Sequence, residues 1–221
     1  MAKSEKRRFK AAIFDLDGVI VDTIDLHFRA WKKMFAEYGK EFDFEDYKQK
    51  VDGIPRIDGA KAILTDLPEP ELDKAATRKQ NYFLEFLEKE GAKVYKDTIK
   101  LIDRLRTEGI KLGVISSSRN CNLILQKGGV ENLFEAVVTG NDIKKGKPNP
   151  DIFLHAASNL GVSPHECLVF EDAVLGVEAS KRANMRCVGV DRYNYPKRLI
   201  KADLIVGDLS EVDIDKLDSL F

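Results

Sequence analysis

Two aspartates separated by a single residue, Asp15 and Asp17 in Ile13-Phe14-Asp15-Leu16-Asp17-Gly18, carry the clearest chemical signal in the chain. In extended backbone, side chains two apart leave on the same side, so both carboxylates would enter one space. Such a pair repels itself unless a cation compensates it, and a divalent ion is the usual compensation. Paired carboxylates suit phosphoryl transfer: one attacks phosphorus while the other manages the proton of the leaving or accepting hydroxyl. The same residues also suit a strand-ending turn, where Asp and Gly are common.

Three further segments offer complementary chemistry. Ser116-Ser117-Ser118-Arg119-Asn120 places small hydroxyls after an apolar run. Hydroxyls and free N–H groups at a helix start bind phosphate oxygens, although ordinary N-capping explains one serine equally well. Gly146-Lys147-Pro148-Asn149-Pro150 contains a lysine held by neighbouring prolines, able to present fixed positive charge or to form a plain surface turn. It is not a nucleotide-binding glycine loop, because five residues separate Gly140 from Gly146 and Pro148 stands where Ser or Thr is required. Glu171-Asp172 follows the apolar run Cys167–Phe170 and offers oxygen ligands for magnesium; acids there also favour a helix dipole.

Each segment lies just past a short apolar run. Six runs recur, at Ala11–Phe14, Lys111–Ile115, Ala136–Val138, Cys167–Phe170, Cys187–Val190 and Asp203–Val206, with amphipathic helix-length stretches between the last five. Alternating strand and helix predicts an α/β fold, a doubly wound parallel sheet with a Rossmann-like core. In such a sheet, ligands sit beyond the carboxyl ends of the strands. Between Thr23 and Lys93 the pattern changes. Trp31, Met34, Phe35 and Tyr38, then Tyr82, Phe83, Phe86 and Leu87, recur at helical spacing, and Leu67-Pro68-Glu69-Pro70 separates helices. A small all-helical insert over 23–93 is expected, with the core formed by 1–22 and 94–221.

With 221 residues, 43% hydrophobic and 33% charged, the chain fits a soluble globular protein of one domain plus a small module. A formal charge of −1 argues against a global attraction to nucleic acid, and the basic start, Lys3 to Lys10, reads as a solvated end. No apolar run approaches the roughly 18 residues that span a bilayer. Cys121, Cys167 and Cys187 are widely spaced and read as reduced thiols, so a cytoplasmic protein is expected.

In this order the four segments resemble the haloacid dehalogenase superfamily, most of whose members are phosphatases and phosphomutases. The resemblance implies that Asp15 forms an aspartyl-phosphate, Asp17 is general acid and base, Ser116 binds the phosphoryl group and Lys147 neutralises it. It implies Mg2+ held by Asp15, the backbone carbonyl of Asp17, and Asp172, with Glu171 assisting. The helical insert then resembles the small cap that closes over the site, with hinges near Thr23 and Val94.

His27-Phe28-Arg29-Ala30-Trp31 and Gly53-Ile54-Pro55-Arg56 are similar to the β-phosphoglucomutase-like subgroup. That similarity implies substrate contacts from His27, Trp31, Gly53, Arg56, Arg78, Lys79, Ser118, Arg119 and Asn120, with Arg56 gripping a distal phosphate. The implied activity interconverts β-glucose 1-phosphate and glucose 6-phosphate through β-glucose 1,6-bisphosphate, on a monomer acting on a small sugar phosphate. Arg119 stands where such mutases carry lysine, and Ile57-Asp58-Gly59 resembles mutase-like hydrolases. A sugar- or polyol-phosphate phosphatase is therefore the second expectation, and a non-catalytic sugar-phosphate-binding protein the third.

Overall fold

The six apolar runs pair into one parallel sheet in a computed structural model that describes residues 7–194 and 196–221. Lys3 and Lys6 of the basic start lie outside the described residues. The strands are β1 (Ala11–Asp15), β4 (Lys111–Ser116), β5 (Ala136–Thr139), β6 (Cys167–Glu171), β7 (Arg186–Val190) and β8 (Leu204–Val206), in the order β5-β4-β1-β6-β7-β8. Helices cover both faces of this sheet, as parallel sheets require. Ala12 and Phe14 of β1 pack into one hydrophobic layer and Ala11 and Ile13 into the other, the period-two alternation of a strand buried on both sides. Phe14 stacks on Phe170 with ring centroids 4.5 Å apart, locking β1 beside β6. The core helices are α5 (Lys96–Thr107), α6 (Cys121–Gly128), α7 (Asp151–Leu160), α8 (Val174–Arg182) and the short α9 (Ile214–Asp218).

Register decides where the polar residues emerge. Asp15 pairs with Ile115, Ser116 with Thr139, and Glu171 with Gly189, so these side chains leave neighbouring strands at one edge. From β1 the chain goes to β4 and β5 on one side, then to β6, β7 and β8 on the other. The switch point falls at β1 itself, where a ligand crevice opens.

The insert is helical, as expected: α1 (Ile24–Glu37), α2 (Phe44–Asp46), α3 (Arg56–Ile63) and α4 (Glu69–Glu90). Its own core gathers Trp31, Met34, Phe35, Phe42, Tyr47 and Leu72. Pro68 and Pro70 start α4, whose missing first-turn N–H costs nothing there, and Gly91 at φ 77° ends it. Two features were not visible in the sequence pattern. A π-helical turn, Tyr47–Val51, follows α2 directly. Two-residue strands β2 (Val21–Asp22) and β3 (Lys93–Val94) pair antiparallel where the insert leaves and rejoins the core. Two residues are too few to display alternation.

Arg192 clamps this junction. Its guanidinium donates to the carbonyl of Gly18 at 3.0 Å and to Asp97 at 3.0 Å, and lies 3.5 Å from the centroid of the Tyr95 ring.

Candidate active site

The strand-end residues and the insert enclose one cavity of about 550 Å³. At its floor, the buried Lys147 ammonium donates to Asp15 Oδ1 at 2.5 Å and to Glu171 Oε2 at 2.7 Å. Burial alone would push Lys147 down, but the two carboxylates prevail and its pKa is raised, so it is a fixed cation. Burial raises Asp15 from 3.8 to about 6, against Lys147, with Asp17 adding repulsion. Burial likewise lifts Asp172 to about 7, and Glu171 well above its ordinary value with Asp15 adding to the rise.

Two glycines make room for these acids. A Cβ on Gly18, whose φ is +81°, would sit 2.5 Å from Asp172 Oδ2, and one on Gly176 would sit 2.0 Å from the Glu171 carboxyl carbon.

Asp17 turns toward the insert. Its Oδ1 accepts from the Thr23 hydroxyl and lies 3.3 Å from His27 Nε2, while Oδ2 lies 3.4 Å from the Ser116 hydroxyl. Lys79 Nζ stands 2.7 Å from His27 Nδ1. Burial lowers the Lys79 pKa to about 7, against Asp17; as an ammonium it can only donate, so in that form Nδ1 accepts and the imidazole proton resides on Nε2, directed at Asp17. Burial first, then Lys79, lowers the His27 pKa, in keeping with this neutral tautomer. Burial opposes ionisation of Asp17, but His27 and Thr23 overcome it and lower its pKa. The two aspartates thus have separated environments: Asp15 on Lys147, and Asp17 on a hydroxyl–imidazole–ammonium chain.

Most of the expected site residues converge. Asp15, Asp17, His27, Trp31, Gly53, Arg56, Lys79, Ser118, Arg119, Lys147, Glu171 and Asp172 all line the cavity. Ser116 lies just behind it, buried, accepting from the Ser118 N–H at 3.0 Å. Arg56 and Arg119 face each other, and burial followed by this repulsion lowers the Arg56 pKa.

Two more of the expected residues stand outside the cavity, and for the adjacent pair Arg78 and Lys79 the sequence leaves open which one turns to the site. Arg78 points away from the cavity: its side chain is 57% exposed and bridges to Glu37, whereas Lys79, one residue on and about 100° around the helix, turns inward. Asn120 accepts from Gln80 of α4 at 2.8 Å and fastens insert to core instead of lining the cavity. The loop also delays the helix start, because α6 begins at Cys121 and not among the serines.

Sequence reasoning passed over Ser117, Lys144, Lys145 and Asp52, which also line the cavity. Ser117 donates to the Gly53 carbonyl at 2.9 Å, a second tie between insert and core. A run of three serines signalled it without separating one from the next.

Residues 12–190 match the family described as Haloacid dehalogenase-like hydrolase. The chain belongs to this family. It is 37% identical to a β-phosphoglucomutase of Bacillus subtilis over 215 residues, 94% of this chain and 93% of that protein. It is 32% identical to a phosphorylated carbohydrates phosphatase of Thermotoga maritima, over 89% of this chain and 92% of that protein. Among solved structures, β-phosphoglucomutase from Clostridium difficile superposes with a TM-score of 0.87 at 30% identity, covering 96% of both chains.

Haloacid dehalogenase-like enzymes typically use Mg2+, and the residues here fit that ion. Asp15, Glu171 and Asp172 each present a carboxylate oxygen within 4.8 Å of the others. Asp172 Oδ2 is buried without a hydrogen-bond partner among the described residues, an acceptor of the hard-oxygen type this cation takes. The Asp17 side chain, engaged by Thr23 and His27, stands outside this cluster.

Asp15 and Asp172 hold protons in the folded state that the unfolded chain releases near pH 3.8. The metal-free fold therefore loses stability as pH rises from about 4 to about 7, and magnesium affinity rises over the upper part of that range. Thermal melts with and without Mg2+ should show a larger stabilisation at about pH 8 than at about pH 5; equal increments would contradict the buried-carboxylate assignment. In steady-state kinetics, Arg78→Ala should change turnover by less than about twofold, as an exposed surface change does. Lys79→Ala should lower turnover about tenfold or more.

Proposed function

We propose that this chain is a magnesium-dependent phosphomutase that interconverts β-glucose 1-phosphate and glucose 6-phosphate through β-glucose 1,6-bisphosphate. The observation that carries the reading is a cavity lined by cations from both the core and the insert. Lys147 and Arg119 come from the core and Arg56 from the insert, with Arg56 and Arg119 close enough to repel each other. Neither arginine has an ion-pair partner within 4.0 Å among the described residues. A bisphosphate needs cations for two phosphates, and a guanidinium binds phosphate through parallel hydrogen bonds. Relatedness to β-phosphoglucomutases supports the same choice.

In this reading, Asp15 attacks the phosphoryl group of the bisphosphate, and Lys147 and Ser116 take up charge on the transferring oxygens. Asp17, ionised at rest, removes the proton of the sugar hydroxyl that attacks the aspartyl-phosphate and returns it to the hydroxyl that departs when Asp15 is rephosphorylated, its position set by Thr23 and His27. Asp15, Glu171, Asp172 and the backbone carbonyl of Asp17 hold Mg2+, which when bound supplies positive charge to the phosphoryl oxygens. His27, Trp31, Gly53, Lys79 and Ser118 surround the sugar. The proposed cap, residues 23–93, swings on the β2–β3 pair to admit substrate and shuts out water while the aspartyl-phosphate persists. The proposed unit is a cytoplasmic monomer. Among the described residues, no helix is long and apolar enough to cross a membrane.

A phosphatase of sugar phosphates is the second reading, favoured by relatives such as the fructose-1-phosphate phosphatase of Escherichia coli, 31% identical over 188 residues. The two differ in whether water reaches the aspartyl-phosphate. Coupled detection of glucose 6-phosphate from β-glucose 1-phosphate, run beside an assay for free phosphate, should show isomerisation exceeding phosphate release, and Asp15→Asn should abolish both while the protein stays folded. Dominant phosphate release from the wild type would overturn the mutase assignment in favour of the second reading.

A further inference from the structure

A buried charge cluster joins cap to core around Asp172. Lys48, on the π-helical turn, is almost fully buried, with Nζ 2.5 Å from Asp52 Oδ2 and 3.5 Å from Asp172 Oδ2. Arg198, in the loop between β7 and β8, reaches Asp52 Oδ2 at 3.6 Å. Tyr193 of the same loop packs on Phe44 at 5.2 Å and lies under the Lys48 ammonium at 4.8 Å. Lys48 Nζ, Asp52 Oδ2, Asp172 Oδ2 and Arg198 Nη2 are all buried without a hydrogen bond of ordinary geometry. Buried polar atoms are nearly always so bonded, and a cluster held by charge alone is one that can exchange partners.

With Asp172 ionised the charges balance: two cations, Lys48 and Arg198, face two anions, Asp52 and Asp172. The π-turn makes this possible. Its i to i+5 bond, Asp52 N–H to Tyr47 carbonyl at 3.0 Å, sets Lys48 and Asp52 together at the core boundary. A dication beside Asp172 would leave the cluster with excess positive charge, concentrated where screening is weak.

We infer that Lys48 is a cap-borne cation that competes with magnesium for Asp172, so that metal binding unlatches the cap from the core on this side. The inference rests on the magnesium reading of the Asp15, Glu171 and Asp172 cluster. With the ion absent, Lys48 neutralises Asp172 and holds the cap down. With the ion present, Lys48 retires to Asp52 and toward the second cleft of about 330 Å³ that it lines with Gln49 and Val174. Linkage makes the effect reciprocal: whatever closure costs the metal, the metal costs closure. Lys48 is thus a positioning residue, acting on the metal ligand and not on substrate.

Titration calorimetry with Mg2+ and no substrate tests this, beside hydrogen–deuterium exchange over residues 47–52. Lys48→Met should tighten magnesium about tenfold, and Lys48→Arg, which keeps the charge, should stay near the wild type. Magnesium should speed amide exchange over 47–52 in the wild type and not in Lys48→Met. A side chain of merely structural value would weaken binding in both variants. Unchanged or weaker magnesium binding by Lys48→Met overturns the inference, and so does wild-type exchange indifferent to magnesium, a result that needs no variant to fold. Absence of any magnesium binding by the wild type would remove the metal reading itself, and the competition with it.

Discussion

The ammonium of Lys147, buried between Asp15 and Glu171, is the contact on which the other charged groups depend. Three carboxylates gathered at the ends of β1 and β6 could not stay ionised in a dry crevice without compensation, and removing one partner of such a buried set costs far more than the set contributes. Lys147 compensates two of them. Asp172 is left to Lys48 at 3.5 Å and to any divalent ion that enters. This division explains why burial lifts Asp15 only to about 6, with Lys147 opposing the rise. It also leaves Asp17 free to be managed by the insert through Thr23 and His27. The two aspartates have different environments because Asp15 answers to the core through Lys147 and Asp17 to the insert through Thr23 and His27.

That separation ties the environment of Asp17 to the insert. Thr23 opens α1, yet its hydroxyl is spent on Asp17 and not on capping the helix. His27, one turn later, is stacked on Phe83 and held by Lys79 of α4. Moving α1 away from the core would withdraw both contacts from Asp17 together. Gly53, Gln80 and Lys48 contribute three further ties across the same boundary.

The sheet was readable because strands buried on both faces leave unbroken apolar runs, and because register then carries the following polar residue to one edge. Asp15, Lys147, Glu171 and Asp172 could be found that way. The insert's core was readable for a similar reason, since Trp31, Met34 and Phe35 repeat at helical spacing. Arg78 and Lys79 show where the reading stopped: adjacent cations differ by about 100° of helical phase, and only packing decides which turns inward. Ser116 and Ser117 pose the same problem in a loop. Lys48, Asp52 and Arg198 left no usable signal, because an i, i+4 ion pair is ordinary on a helix surface and its third member lies far along the chain.

The claim that organises the rest is that Asp15 becomes phosphorylated. Rapid acid quench of the wild type with labelled β-glucose 1,6-bisphosphate and Mg2+, followed by peptide mapping, tests it most directly. The account predicts label on the peptide containing Asp15 and none on Asp15→Asn. Label on Asp17 or on a serine of 116–118, or turnover of the bisphosphate with no labelled protein at any quench time, would contradict it.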